Sequence, residues 1–113
     1  MTEEEAARLI EVVCDGLSGP RSIPVKLRIG EGLDREQLAV VLDAMERLDE
    51  HYEGKEMVPK RLAAALLDIH EGMEQGLARY SSEEKDAIEE AAMELATIAS
   101  AIVTDVTDDE PDR

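Results

Sequence analysis

The most strongly patterned segment of the 113-residue chain is EEKDAIEEAAMELATIASAIVT, residues Glu83–Thr104. Its second half, from Ala91 onward, carries one charged residue, Glu94, in a chain that is 35% charged. Its start is marked by a capping-box pattern, with Ser81 just before the segment and Glu84 three residues later. Apolar residues recur at intervals of three and four, the spacing of one helical face: Ile88, Ala91, Ala92, Leu95, Ile98, Ala99 and Ile102. The sequence therefore predicts a long helix whose second half is buried on most sides.

Three further helices are predicted upstream of this segment. The first starts at a Thr2–Glu5 capping box and is expected to span about residues 3–15, ending at the glycines that follow. The second starts at Asp34, a favoured N-cap residue, and ends near Gly54. The third has Pro59 in its first turn and ends near Tyr80. The predicted fold is an all-α, four-helix, mostly antiparallel bundle.

The segment between the first two predicted helices has a different period. Apolar and other residues alternate from Ser22 to Gly30, which is the pattern of a half-buried strand. We expect a short strand that pairs with its copy in a homodimer, with a partner's strand or with residues 102–107; the alternative is an extended loop laid on the bundle. Self-association would use the apolar side chains of this segment: Ile23, Val25, Leu27 and Ile29. Its basic residues, among them Lys26, are expected to pair with acidic residues of the same chain.

Two glycines, Gly72 and Gly76, lie inside the third predicted helix. Each costs up to about 1 kcal/mol relative to alanine in a helix interior. Because they are four residues apart, they share one face. That face is expected either to let another element approach closely or to be exposed, where glycine is simply tolerated.

Length and composition indicate one domain, residues 1–104, followed by an acidic disordered tail, residues 105–113. The core must be aliphatic, because the chain has no Trp or Phe and two Tyr. Cys14 is the single cysteine, so no internal disulfide can form, and we expect a structural thiol. The acidic residues 2–5 do not resemble the basic start of a signal peptide, and no apolar run approaches the ~20 residues of a membrane span. We expect a cytoplasmic protein.

The net charge of −16 argues against binding to nucleic acid or to an acidic membrane surface, since both require basic residues. It favours rapid encounter with a basic protein partner, although the composition alone is also explained by an acidic host proteome. The predicted function is an acidic protein-binding module, comparable to immunity proteins, antitoxins or nucleic-acid mimics that inhibit a basic partner. Candidate partner-binding residues lie on the exposed faces of the second and third predicted helices: Asp43, Glu46, Glu50, Asp68, Glu71 and Glu74. A self-assembling homodimeric structural module is the alternative.

The sequence identifies no catalytic, cofactor-binding or metal-binding residue, and no cofactor is expected. Di-iron bundles require a Glu three residues before a His, but Leu48 and Leu67 hold those positions before His51 and His70. Acidic pairs on the third and fourth predicted helices, such as Glu90 with Glu94, occur at a spacing similar to that in all-α nucleotide pyrophosphatases of the MazG type, which bind magnesium. The lysine-assisted double-Glu pattern of that family is absent. Because the spacing of the acidic pairs is similar, a Mg-dependent all-α nucleotide hydrolase is a second alternative, although this motif is missing.

Overall fold

A computed structural model of the chain describes residues 1–104 and confirms the all-α class for this range. The predicted acidic tail, residues 105–113, lies outside the described residues. The helices are α1, Glu3–Ser18; α2, Ile23–Arg28; α3, Arg35–Tyr52; α4, Lys60–Leu67; α5, Ile69–Glu74; and α6, Ser82–Thr104, with a 3-10 turn at Leu77–Arg79. The four predicted helices are present as α1, α3, the interrupted α4–α5 region and α6.

The predicted starts of α1, α3 and α6 are confirmed by side-chain hydrogen bonds. Pro59 was predicted in the first turn of the third helix, but it precedes α4 as its N-cap. Thr2 and Glu5 cap each other's backbone amides at α1, and Ser81 and Glu84 do the same at α6. The predicted end of α1 was too early, because the helix continues to Ser18. Gly16 is buried inside it, where an added Cβ would overlap a methyl group of Val41 on α3. This glycine therefore allows close packing of α1 on α3.

The predicted strand at residues 22–30 is wrong, because this segment forms helix α2. The Ser22 side chain caps it by accepting a hydrogen bond from the Val25 amide at 3.4 Å, and Pro24 lies in the first turn, where its missing amide is harmless. Ile23 and Leu27, four residues apart, are buried, whereas Ile29 is 59% exposed. The helix has no strand edge for self-association to use. Self-association itself stays a prediction.

The third predicted helix is interrupted rather than continuous. Asp68 separates α4 from α5, and Gly76, with a φ of +97°, follows the end of α5. Gly72 and Gly76 both lie against α2. A Cβ at Gly72 would lie 3.3 Å from the Pro24 side chain, and one at Gly76 would lie 3.3 Å from the Leu27 carbonyl oxygen. Of the two interpretations of these glycines, close approach is confirmed, and the approaching element is α2.

The core is aliphatic, as predicted, and includes residues from each of the six α-helices described within residues 1–104. Helix α3 packs between α1 and α6, while α5 packs against α6 and α2. The expectation that residues 91–104 are buried on most sides is wrong. Leu95 and Ile102 are fully buried, but Met93 is 68% exposed and Val103 is 39% exposed. Helix α6 therefore buries one face and presents apolar side chains on another.

Polar contacts of two side chains, Tyr80 and Lys26, hold the C-terminal end of α2 and the loop after it. The Tyr80 hydroxyl donates to the Leu27 carbonyl oxygen at 2.7 Å and accepts from the Gly32 amide at 3.1 Å. Lys26 Nζ lies 2.8 Å from Asp34 Oδ2, and Asp34 also caps α3 through the Gln37 amide. The predicted pairing of Lys26 within the chain is thus confirmed. Its partner is the N-cap of α3.

We predict that the Lys26–Asp34 contact makes stability depend on pH. The hydrogen bond from Lys26 is the main reason why the pKa of Asp34 lies below its ordinary value. A carboxyl whose folded-state pKa is lowered stabilises the fold above its unfolded pKa, and this stabilisation is lost as the pH falls through the folded value. Asp34→Asn keeps a good N-cap but loses the charge. Urea unfolding should show the variant to be less stable than the parent at neutral pH, with the difference shrinking in acid.

The matched control for this prediction is Asp43→Asn, which removes one carboxylate from an ion pair with Arg47 in which both side chains are 62% exposed. Such exposed pairs contribute little to stability. A pH-dependent loss of equal size in both variants would show that general charge, and not the Lys26 contact, is responsible.

Candidate protein-binding surfaces

The three predicted partner-binding residues of α3, namely Asp43, Glu46 and Glu50, are all exposed. They do not form a purely acidic surface. Asp43 Oδ2 lies 3.1 Å from Arg47 Nε, and Glu50 lines a surface cavity of about 510 Å³ together with Arg8 and Arg47. Part of the charge on this face is therefore neutralised within the chain.

The three predicted residues of the α4–α5 region, Asp68, Glu71 and Glu74, are also exposed, but they lie on two sides. Asp68 and Glu71 line a cleft of about 310 Å³ toward α2, to which Arg28 also contributes. Glu74 lines a different cavity, beside α6, and its Oε2 lies 3.1 Å from His70 Nε2. The predicted acidic set is consequently distributed over α3 and two sides of α5.

The structure also contains an apolar surface that sequence reasoning missed. A cavity of about 460 Å³ lies between α4–α5 and the C-terminal half of α6. The Leu67 side chain, which lines it, is 82% exposed, so that a large apolar side chain adjoins an apolar cavity; contiguous apolar surface of this kind often marks an interaction site. The lining of this cavity is mostly apolar and includes Leu66, Leu67, His70, Ala96, Ala99 and Val103.

A second cavity, of about 230 Å³, lies beside the first and shares one lining residue, His70, with it. It is lined by apolar residues of α5, the 3-10 turn and α6: Met73, Leu77, Ile88, Ala92 and Met93. We call the two cavities together the apolar groove. Glu74 and Glu89 also line its second part. Among residues 1–104, no lysine or arginine lines the apolar groove.

The sequence did contain a signal for this groove. Helix α6 has more apolar residues than one buried face requires. Leu66 and Leu67 are adjacent and both apolar, but adjacent helical residues point about 100° apart, so one narrow buried face does not cover both side chains. We interpreted the excess in α6 as burial on most sides. The structure shows instead that Met93 and Leu67 stay exposed.

The acidic residues considered for a magnesium site are not brought together with other possible metal ligands. Within residues 1–104, no group of three or more His, Cys, Asp or Glu side chains is arranged to hold a metal ion. Glu90 and Glu94 are exposed on α6. Cys14 is half-buried, its Sγ lies 3.7 Å from the Arg61 carbonyl oxygen, and burial raises the pKa of its thiol. A raised pKa favours the unreactive protonated thiol, in keeping with the expected structural role.

None of the described helices is both long enough and apolar enough to cross a membrane. In comparisons with known proteins, the chain matches no protein-family model, and no curated protein or solved structure was found to be similar to it.

Proposed function

We propose that this chain is an acidic protein-binding module that occupies a basic partner, in the manner of an immunity protein, an antitoxin or a nucleic-acid mimic. The observation that carries the proposal is the net charge of −16, with all six candidate carboxylates exposed on α3 and on Asp68–Glu74. We further propose that it acts in the cytoplasm, since Cys14 is its single cysteine and no disulfide stabilises the fold.

Physical chemistry links this charge to the rate of binding. A surface of one charge sign raises the rate of encounter with an oppositely charged protein, and salt screens the effect over about 10 Å at 0.1 M. Exposed carboxylates at the edge of an interface act mainly on the association rate. The proposal therefore predicts an association rate that falls steeply as salt is added.

The test starts by capturing partners on the tagged chain from its host's lysate at low salt, and then purifying the captured protein. Association rates are measured against salt for the unaltered chain and for two triple variants: Asp43→Asn, Glu46→Gln, Glu50→Gln, and Asp68→Asn, Glu71→Gln, Glu74→Gln. We expect at least one triple variant to associate about tenfold more slowly at low salt.

The matched control is Glu11→Gln, Glu53→Gln, Glu56→Gln, which removes the same number of exposed carboxylates outside the candidate set. A fall of the same size in the control would show that net charge, and not these residues, governs binding. An association rate that neither salt nor any variant changes would refute the proposed function.

A further inference from the structure

We propose that the apolar groove binds an amphipathic helix of the basic partner, with apolar residues inside the groove and lysine or arginine at its flanks. This inference rests on the proposed function and assigns a site within it. Amphipathic helices commonly bind in this way, by laying their apolar face into a hydrophobic groove.

The length of the groove matches a helix. Its α6 side runs from Ile88 to Val103, which at 1.5 Å per residue is about 22 Å, or four helical turns. The lining residues on this side recur every three or four positions, so that they form a continuous strip along α6. A partner helix of about 15 residues would fill this length.

The cross-section of the groove also suits a helix. Ala92, Ala96 and Ala99 provide a floor of small side chains, while Leu67 and Met93 stand at the edges. Small residues between large ones let the ridge of one helix enter the groove of another. Methionine adapts to differently shaped apolar partners because its side chain is unbranched and flexible. Binding would bury the Leu67 and Met93 side chains, which are now largely exposed.

The charge around the groove determines which occupant fits. Its charged lining residues are Glu74 and Glu89, and His70 is already paired with Glu74. In a symmetric dimer through this groove, the lining of one copy would offer no lysine or arginine to Glu74 and Glu89 of the other. Residues 105–113 are mainly acidic and would bring like charge to the same carboxylates. Lysine or arginine beside an apolar helix face complements both carboxylates.

The first experiment uses synthetic peptides of about 16 residues. One is a Leu/Lys amphipathic helix, the second has Glu in place of Lys, and the third has the composition of the first in a scrambled order. Binding is measured by calorimetry and by NMR of the Met methyl groups. We expect the Leu/Lys helix to bind and to shift the Met93 methyl signal, and the other two peptides to bind at least about tenfold more weakly.

The matched variants are Met93→Gln and Met57→Gln. Both methionines are largely exposed, 68% and 80%, but Met57 does not line the groove. Met93→Gln, alone or with Leu67→Gln, should weaken binding of the Leu/Lys helix about tenfold, while Met57→Gln should leave it unchanged. Equal effects of the two methionine variants, or equal binding of all three peptides, would overturn the assignment.

Two further outcomes separate this inference from the proposed function. If the captured partner binds the Leu67→Gln, Met93→Gln variant as tightly as the unaltered chain, the groove assignment is wrong although the proposed function stands. If light scattering shows a dimer that this double variant converts to a monomer, the occupant is a second copy and the assignment is likewise wrong. Failure of the proposed function is recognised separately, by an association rate that neither salt nor the carboxylate variants change.

Discussion

Replacing Leu27 by alanine is expected to lower the free energy of unfolding by about 2–5 kcal/mol, because it removes a buried side chain and leaves a cavity. Leu27 is 2% exposed, on a helix that packs between α1 and α5. Urea unfolding followed by circular dichroism measures the loss. The substitution should leave the m-value unchanged if the variant retains the same compact fold.

The control is Ile29→Ala, which replaces an exposed side chain two residues after Leu27. It should change stability by no more than about 0.5 kcal/mol. In a strand, Leu27 and Ile29 would lie on the same face, and both substitutions would have similar costs. Similar losses would thus contradict the helical assignment of residues 23–28.

Gly76→Ala is expected to lower the free energy of unfolding by about 1–3 kcal/mol. Two causes contribute. Gly76 has a φ of +97°, a conformation that residues with a Cβ rarely adopt, and the new methyl group would press on the backbone of Arg28 and Leu27 at 3.3 Å. Because these are backbone atoms, they cannot move aside without displacing α2.

Gly54→Ala separates the two causes. Gly54 also has a positive φ, +79°, but apart from its two neighbours in the chain no residue has a heavy atom within 4 Å of an added Cβ. Its substitution therefore reports backbone strain alone, and thermal or urea unfolding should show a smaller loss than for Gly76→Ala. If the two variants lost equal stability, packing of α2 against Gly76 would contribute nothing.

Local signals predicted the helix starts well because each depends on few neighbouring residues. The Thr2–Glu5 and Ser81–Glu84 caps need only a hydroxyl and a carboxylate three positions apart. Helix ends were harder to predict. Gly16 resembled a stop signal, yet it lies inside α1, because its missing side chain makes room for Val41 on another helix. Such a tertiary reason is not visible in the local sequence.

The strand prediction failed because seven residues fit two periods. Ile23, Val25, Leu27 and Ile29 alternate, but Ile23 and Leu27 are also one helical turn apart. Ser22 and Pro24, a good N-cap and a residue suited to a first turn, were the signals that favoured a helix. The helix also depends on distant residues, because α2 packs against Gly72 and Gly76, which lie 48 and 49 residues after their contacts Pro24 and Leu27.

For the candidate surfaces, the sequence predicted exposure but not arrangement. All six carboxylates are exposed, as predicted from helical periodicity. Their separation onto α3 and two sides of α5 follows from how the helices pack, which periodicity does not determine. The apolar groove was missed for a similar reason, since an excess of apolar residues on α6 is compatible with burial on two sides or with one exposed strip.

The hydrogen bonds of Tyr80 have a consequence for how the chain folds during synthesis. Helix α2 has six residues, too few to be stable alone, and the Leu27 carbonyl that Tyr80 binds lies 53 residues earlier in the chain. On the ribosome, residues 23–28 emerge long before their partners at Gly72, Gly76 and Tyr80. The N-terminal helices can associate first, while α2 reaches its native environment only after the chain has been made beyond Tyr80. Residues 23–28 therefore lack these late contacts until synthesis has passed Tyr80.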